Sequence, residues 1–293
     1  MRVRNGMAIA SEAEVNSPFR YAGGKYYARD MILEQVPRHT CYIEPLCGGA
    51  SIFFAKPKVE TNILNDRDPD LFNCLIHIRD SPTELADLLP LNTPTKVLHA
   101  YFKNEYTPSN DLERAARWYY LNRVSYSGIM KRENCFFGYG DKFSMQPKNW
   151  RRHLLRTSAR LQGVDILNKD FEEVIEDAPS GAFLFIDPPY FNRDQDKFYT
   201  YTFTKGDHNR LMEVLKRRAE EVRFLLTYDN EPEIREMYAW ATERMEKGWH
   251  YTIYRTDDQT KGGNGGDKPH VGKRYLGREL FITNYKSPVR TLL

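Results

Sequence analysis

The chain is expected to fold as an α/β protein built on a mostly parallel sheet, and three observations predict this. After Ser17-Pro18, short apolar runs alternate with amphipathic segments, the pattern left by strands connected through helices. One run, Ala182-Phe183-Leu184-Phe185-Ile186, is apolar without interruption, as suits a central strand covered on both faces. It ends at Asp187-Pro188-Pro189-Tyr190, whose prolines can neither extend a ladder nor enter a helix interior, so the chain must leave the sheet as a stiff turn. Open α/β sheets bind their ligands at the carboxyl ends of such strands. A carboxylate, backbone carbonyls and a flat ring placed there can accept hydrogen bonds from an exocyclic amine and stack on the ring that carries it. Equally, a lone Asp-Pro-Pro-Tyr can do no more than cap a strand.

The elements follow in order. Residues 1–16 show no periodicity and are expected to form a flexible leader. Tyr42-Ile43-Glu44-Pro45-Leu46 reads as the first strand, then come a turn containing Gly48-Gly49 and a helical stretch at 50–55. Asn62-Ile63-Leu64-Asn65-Asp66 reads as the second. Residues 76–160 have helical periodicity and few strand signals. Strand signals resume at 164–167, 182–186 and 222–228, with a helix from Asp207, a suitable N-cap, to about residue 221 between the last two. Residues 249–255 and 278–285 alternate in polarity and bracket Gly262-Gly263-Asn264-Gly265-Gly266, either a linker or a flap over a nucleic-acid ligand. No internal repeat is present.

At 293 residues the chain can bury a proper core as one large domain or one domain with a sizeable insertion. No stretch approaches the roughly 20 apolar residues that span a bilayer, and the N-terminus lacks a signal-peptide core, so a cytoplasmic protein without membrane contact is expected. Cys41, Cys47, Cys74 and Cys135 form no CxxC pair or dense framework, which suits reduced thiols and no bound metal. Net charge is only +3, yet residues 114–160 hold eleven Lys or Arg against Glu133 and Asp141, giving +9 and leaving −6 elsewhere. This basic segment is interleaved with Trp118, Tyr119, Tyr120, Tyr126, Phe136, Phe137, Tyr139 and Trp150. The mixture suits phosphates and unstacked bases, although a basic run is commonly just a solvated face.

Glu44-Pro45-Leu46-Cys47-Gly48-Gly49-Ala50-Ser51 follows the first strand, where glycines let backbone approach a ligand closely. Asp66 ends the second, where an acid can grip the two hydroxyls of a ribose or cap the next helix. Neither a GxGxxG fingerprint nor a GxxxxGK[ST] loop is present. A nucleoside lacking a phosphate chain fits this pattern, and S-adenosylmethionine is the commonest such cofactor.

Arg20-Tyr21-Ala22-Gly23-Gly24-Lys25, Glu44 to Gly49, Asn65-Asp66, Asn122-Arg123 with Tyr126 and Gly128, and Asp187 to Tyr190 occur in the order of the DNA adenine methyltransferase family. From about Pro18 to Lys286 the chain resembles the N6-adenine group that places its target-recognition insert between cofactor motif and catalytic motif. The resemblance implies a Rossmann-like methyltransferase fold, mostly parallel with an antiparallel C-terminal strand. It also implies a catalytic domain over 17–75 and 161–293 and a mainly helical DNA-recognition insert over 76–160. Tyr21 and Lys25 would close over S-adenosylmethionine, Glu44 and the Pro45, Leu46, Cys47 and Gly48 turn would cradle its methionine part, and Asp66 would hold the ribose. Asp170 and Phe171 would meet its adenine, and Asp187 would border it. Asn122, Arg123 and Tyr126 fall where relatives contact DNA, with Lys131, Arg132, Arg151 and Arg152 as phosphate partners; Asn122 and Arg123 could instead anchor the insert. Two departures stand out: the family often has Phe at Leu46, and its second motif glycine is here Ala50.

The expected activity is site-specific transfer of a methyl group to N6 of an adenine flipped out of double-stranded DNA. Asp187 and the Pro188 carbonyl would accept from the amine, Pro189 would stiffen the turn, and Tyr190 would stack, with Phe191 or Tyr199 in support. Rival readings are the same chemistry on cytosine N4, an RNA adenine or a protein glutamine, and a catalytically silent DNA-binding relative. A monomer or a homodimer is compatible with the sequence.

Overall fold

The structure is a computed structural model that describes residues 15–21, 23–140, 144–191, 200–251 and 275–287. The glycine cluster at 262–266, Tyr199 and most of the expected leader lie outside the described residues.

Among the described residues, one seven-stranded sheet organises the chain. Its strands are β1 (Cys41–Glu44), β2 (Thr61–Asn65), β3 (Asp165–Leu167), β4 (Phe183–Ile186), β5 (Arg223–Asp229), β6 (Glu243–Tyr251) and β7 (Tyr275–Thr283), in the order β3-β2-β1-β4-β5-β7-β6. The first five run parallel, and β7 is antiparallel to both β5 and β6. From β1 the chain winds outward through β2 and β3, then returns to β4 on the other side. The β1/β4 boundary is therefore the topological switch point, with a crevice beyond the carboxyl ends of those strands.

Every residue of β1 and β4 is buried, as the apolar run predicts. Side chains alternate across the sheet: Phe183 and Phe185 join one core, Leu184 and Ile186 the other. The first core continues without a break into the expected insert, through α3 (Pro69–Asp80), α4 (Pro82–Asp87), α6 (Asp111–Val124) and α7 (Trp150–Leu161). Trp118, Tyr119, Tyr120 and Trp150 all lie in it. Their mixture with arginines therefore reflects helix packing rather than a stacking platform for bases. Helix α3 also runs through the expected boundary at 75/76.

Two boundaries differ from expectation. Strand β6 begins at Glu243, six residues before the alternating stretch, because it is an edge strand and Glu243, Arg244, Glu246 and Lys247 are the charges such edges carry. Helix α9 (Lys205–Arg217) is capped by Thr204, whose hydroxyl accepts from the Asp207 amide while Asp207 accepts from the Thr204 amide. Asp207 thus closes a capping box from inside the first turn.

Candidate active site

The crevice is bordered by three loops. The first follows β1, where Glu44 turns back inside and accepts from the Tyr42 hydroxyl at 2.6 Å and the Phe53 amide at 2.8 Å. Burial, opposed by these two bonds, pushes Glu44 up to about 7. At Gly48 the backbone has φ +46°, and a Cβ there would lie 2.8 Å from Tyr21 Cε1, so only glycine lets the Tyr21 ring close on this turn. Ala50 holds φ 50°, a left-handed conformation in which the family's glycine would be unstrained.

The second loop leaves β2. Asp66 Oδ2 accepts from the Gly48 amide at 2.8 Å and Oδ1 from the Asp68 amide at 3.0 Å, and burial pushes it up to about 6. Asp68, not Asp66, caps α3, accepting from the amides of Asp70 and Leu71. Asp66 is left to tie the two loops together with its carboxylate on the cavity wall.

The third is the Asp187 turn. Lys25 Nζ reaches Asp187 Oδ1 at 2.7 Å and Oδ2 at 2.8 Å, donates to the Gly23 carbonyl at 3.1 Å, and lies 5.0 Å from the centre of the Tyr190 ring. Thr227 of β5 donates to Asp187 Oδ1 at 2.7 Å. The acid is thereby fixed between the N-terminal segment and the neighbouring strand.

Tyr21, Lys25, Glu44, Leu46, Cys47, Gly48, Asp66, Asp187 and Pro189 all line this one cavity. Other expected residues stand apart from its wall. Pro45 is buried and its carbonyl accepts from Asn65. Pro188 is buried in the turn and Tyr190 packs beside Lys25. Asp170 caps α8 (Phe171–Glu176) and pairs with Arg210 at 2.6 Å, while Phe171 reaches the wall only through Phe203, 5.4 Å away between ring centres. Thr227 and Met130 belong to the site without having been singled out, and Trp118 and Gly128, singled out with the aromatic and basic segment and its motif, line the cavity instead. Thr227 carries the same signal as Asp66, a polar residue near the carboxyl end of an apolar strand.

The residues expected on DNA divide in two. Asn122 is fully buried, accepting from the Arg20 amide at 2.9 Å and donating to the carbonyls of Arg20 and Gly128. Arg123 is buried with a guanidinium nitrogen on the Pro18 carbonyl. Both tie residues 76–160 to the N-terminal segment, because side chains buried against backbone carbonyls inside the protein are not available to phosphates or bases. Arg117 and Arg160 likewise spend their donors on backbone carbonyls, so part of the +9 is internal. Tyr126 is half-buried in a hairpin-like loop closed by the Ser125–Phe137 bridge, which presents half-buried Lys131 and exposed Arg132. Arg151, paired with Asp87, and Arg152 are exposed on α7.

Residues 21–253 match the model of the family described as D12 class N6 adenine-specific DNA methyltransferase. The chain belongs to that family. It is a site-specific DNA methyltransferase acting on adenine N6, and its sheet order is consistent with a Rossmann-like methyltransferase fold. Among curated proteins it is 27% identical to the Type II methyltransferase M1.LlaDCHI of Lactococcus lactis subsp. cremoris, covering 95% of this chain and 99% of that one. It is 30% identical to the DNA N-6-adenine-methyltransferase of Escherichia phage P1 over 81% of this chain and 33% of that protein. The DNA adenine methylase of Escherichia coli K12 is 24% identical over 67% and 73% of the respective chains.

Membership implies a methyl donor and a DNA substrate. Among the described residues no cluster of three His, Cys, Asp or Glu could hold a metal, and no helix is long and apolar enough to cross a membrane.

Proposed function

We propose that the cavity holds S-adenosylmethionine and that Asp187, Pro188 and Tyr190 receive an adenine flipped out of double-stranded DNA. The arrangement of Asp187 carries this reading: an acid held by Lys25 and Thr227 on the wall of a cavity also lined by Asp66 and Glu44. The residues present fit that donor. With every acid ionised, Glu44, Asp66, Asp68 and Asp187 against Lys25 and Arg67 give the wall a formal charge of −2, which suits a sulfonium and an ammonium and repels a phosphate chain. The tight Gly48–Tyr21 contact shapes a floor without a side chain. Asp66 would accept from ribose hydroxyls, and Glu44 would face the methionine part.

When bound, the donor supplies an electrophilic methyl group on sulfur. The protein supplies acceptors and alignment. An adenine amine is a weak nucleophile because its lone pair is delocalised into the ring. Asp187 and the Pro188 carbonyl, accepting from its two N–H groups, favour the pyramidal nitrogen on which charge develops. Tyr190 stacks on the base, Pro189 keeps the turn stiff, and alignment provides much of the remaining acceleration. A base paired in a duplex cannot reach this turn, hence the flipping. Residues 76–160 serve as the recognition insert, with Lys131, Arg132, Arg151 and Arg152 at phosphates and Asn122 and Arg123 holding the insert in place.

Incubation with methyl-labelled donor and duplex DNA, followed by digestion to nucleosides, tests the reading. Label should appear in N6-methyladenine and vanish in Asp187→Ala, whose DNA affinity stays near the parent value. Label in N4-methylcytosine, or persistence of turnover in Asp187→Ala, would overturn it.

A further inference from the structure

Lys25 reaches both carboxylate oxygens of Asp187 at once, so in the free protein its ammonium lies across the group that the amine needs. Something must draw it away without leaving a buried cation unpaired, which is strongly unfavourable. On the other side of Lys25 Nζ, 3.9 Å distant, stands Glu279 Oε2. Glu279 belongs to β7, is 1% exposed, and the donors nearest its carboxylate are the Lys25 ammonium and Tyr190. A fully buried carboxylate ordinarily has its lone pairs engaged.

We propose that Glu279 is a positioning residue that receives the Lys25 ammonium when the target amine takes its place on Asp187. This rests on the reading that Asp187 accepts from the amine. The shift needed is about 1 Å, from 3.9 Å to an ordinary charge-assisted bond, well within the freedom of a four-carbon stem. Throughout the exchange the ammonium stays between two acids, so Asp187 is released without a buried charge being stranded.

The groups facing Glu279 come from every neighbouring element. Lys25 stands on the N-terminal segment, Asp187 and Tyr190 follow β4, Asp229 lies opposite in register on β5, and Lys247 opposite on β6. Burial, with Asp187 and Asp229, pushes Glu279 up to about 8, against the pull of Lys25 and Tyr190. Only its ionised form can receive Lys25. Turnover should therefore rise as pH increases through the region near 8, a limb that belongs to Glu279.

The experiment compares full-length parent, Glu279→Gln and Glu279→Asp in single-turnover methyl transfer as a function of pH, with donor affinity measured by calorimetry. Glu279→Gln should lower the rate at saturating substrates by about tenfold or more while the donor dissociation constant stays within about twofold, and it should lose the rising limb near pH 8. Glu279→Asp, a shorter acid, should recover part of the rate and keep the limb. An unchanged rate and profile in Glu279→Gln would overturn the proposal, as would a parent profile with no ionisation between about pH 7 and 9, which decides the matter even if the variants fail to fold. Asp187→Ala separates the two readings. If it still turns over, the role of Asp187 is wrong; if it is inactive while Glu279→Gln matches the parent, only the role of Glu279 is wrong.

Discussion

Replacing Gly128 by alanine should destabilise the protein far more than the same change at another left-handed glycine. Gly128 has φ +70°, and a Cβ built there lies 2.1 Å from the Arg20 carbonyl oxygen, 2.6 Å from its carbon and 2.8 Å from Arg20 Cβ. To reach even 3.0 Å the two backbones must separate by roughly 0.9 Å, and backbone on both sides leaves no flexible side chain to absorb the shift. Asn122 bridges the same two segments, through bonds of 2.9 Å and 2.8 Å to Arg20 and 3.3 Å to Gly128, so the separation stretches them beyond useful length. The left-handed conformation costs a non-glycine residue about 1–2 kcal/mol. Two buried hydrogen bonds left unmade add about 1–3 kcal/mol each, for a total near 3–8 kcal/mol. Gly163 provides the control: its φ is +69° with nothing within 4 Å of a Cβ, so Gly163→Ala should cost only the backbone part, about 1–2 kcal/mol. Urea unfolding followed by circular dichroism measures both. If Gly128→Ala unfolds within about 1 kcal/mol of Gly163→Ala, the account of the Arg20 clamp is wrong.

Three further outcomes are expected. Donor affinity, measured calorimetrically, should tighten as pH rises through about 6, where Asp66 becomes a full acceptor, and Asp66→Asn should flatten that dependence; a flat parent profile would remove Asp66 from the ribose. Thr227→Val keeps the shape of a fully buried side chain but deprives Asp187 of a donor, so transfer should slow by about tenfold with the thermal midpoint little changed, and an unaltered rate would show that Lys25 alone positions the acid. Removing the exposed charges of Arg132 and Arg152 together should weaken DNA binding and flatten its logarithmic salt dependence by about one to two ion equivalents, whereas an unchanged slope would place both away from phosphates.

The central strands were legible because two buried faces leave an uninterrupted apolar run, and 182–186 matches β4 to within a residue. The start of β6 was not, because an edge strand carries charges that resemble a loop. Similarly, the aromatic and basic residues of α6 have one composition whether they meet a helix or a nucleic acid; only the packing of Trp118, Tyr119 and Tyr120 into the sheet's own core decides between them. Asp187 and Asp66 could be found from strand ends. Glu279 could not: in an alternating strand a glutamate reads as solvent-facing, and only the register that sets it opposite Asp229 turns it inward. Asn122 is a parallel case, since a helical asparagine reveals its buried partners only once Arg20, 102 residues earlier, is folded against it.

That long-range contact explains why the insert cannot behave as an appended module. The Arg20 backbone is held by Asn122 on one helix and crowded by Gly128 just after it. The next residue, Tyr21, closes on the Gly48 turn of the cavity, and a few residues on, Lys25 holds Asp187. One short stretch of chain thus touches the helices of 76–160, the loop after β1 and the turn after β4 in succession. Two independent domains could slide past one another without disturbing such a stretch. Here any movement of the 125–138 loop relative to the sheet must either carry Arg20 with it or break the Asn122 bonds, and Met130 would leave the cavity wall as it moved. The core shared by the sheet and residues 76–160 is the arrangement that holds this stretch still, and under the proposed role of Asp187 that matters because a carboxylate meeting an amine within hydrogen-bonding distance tolerates only a few tenths of an ångström of play.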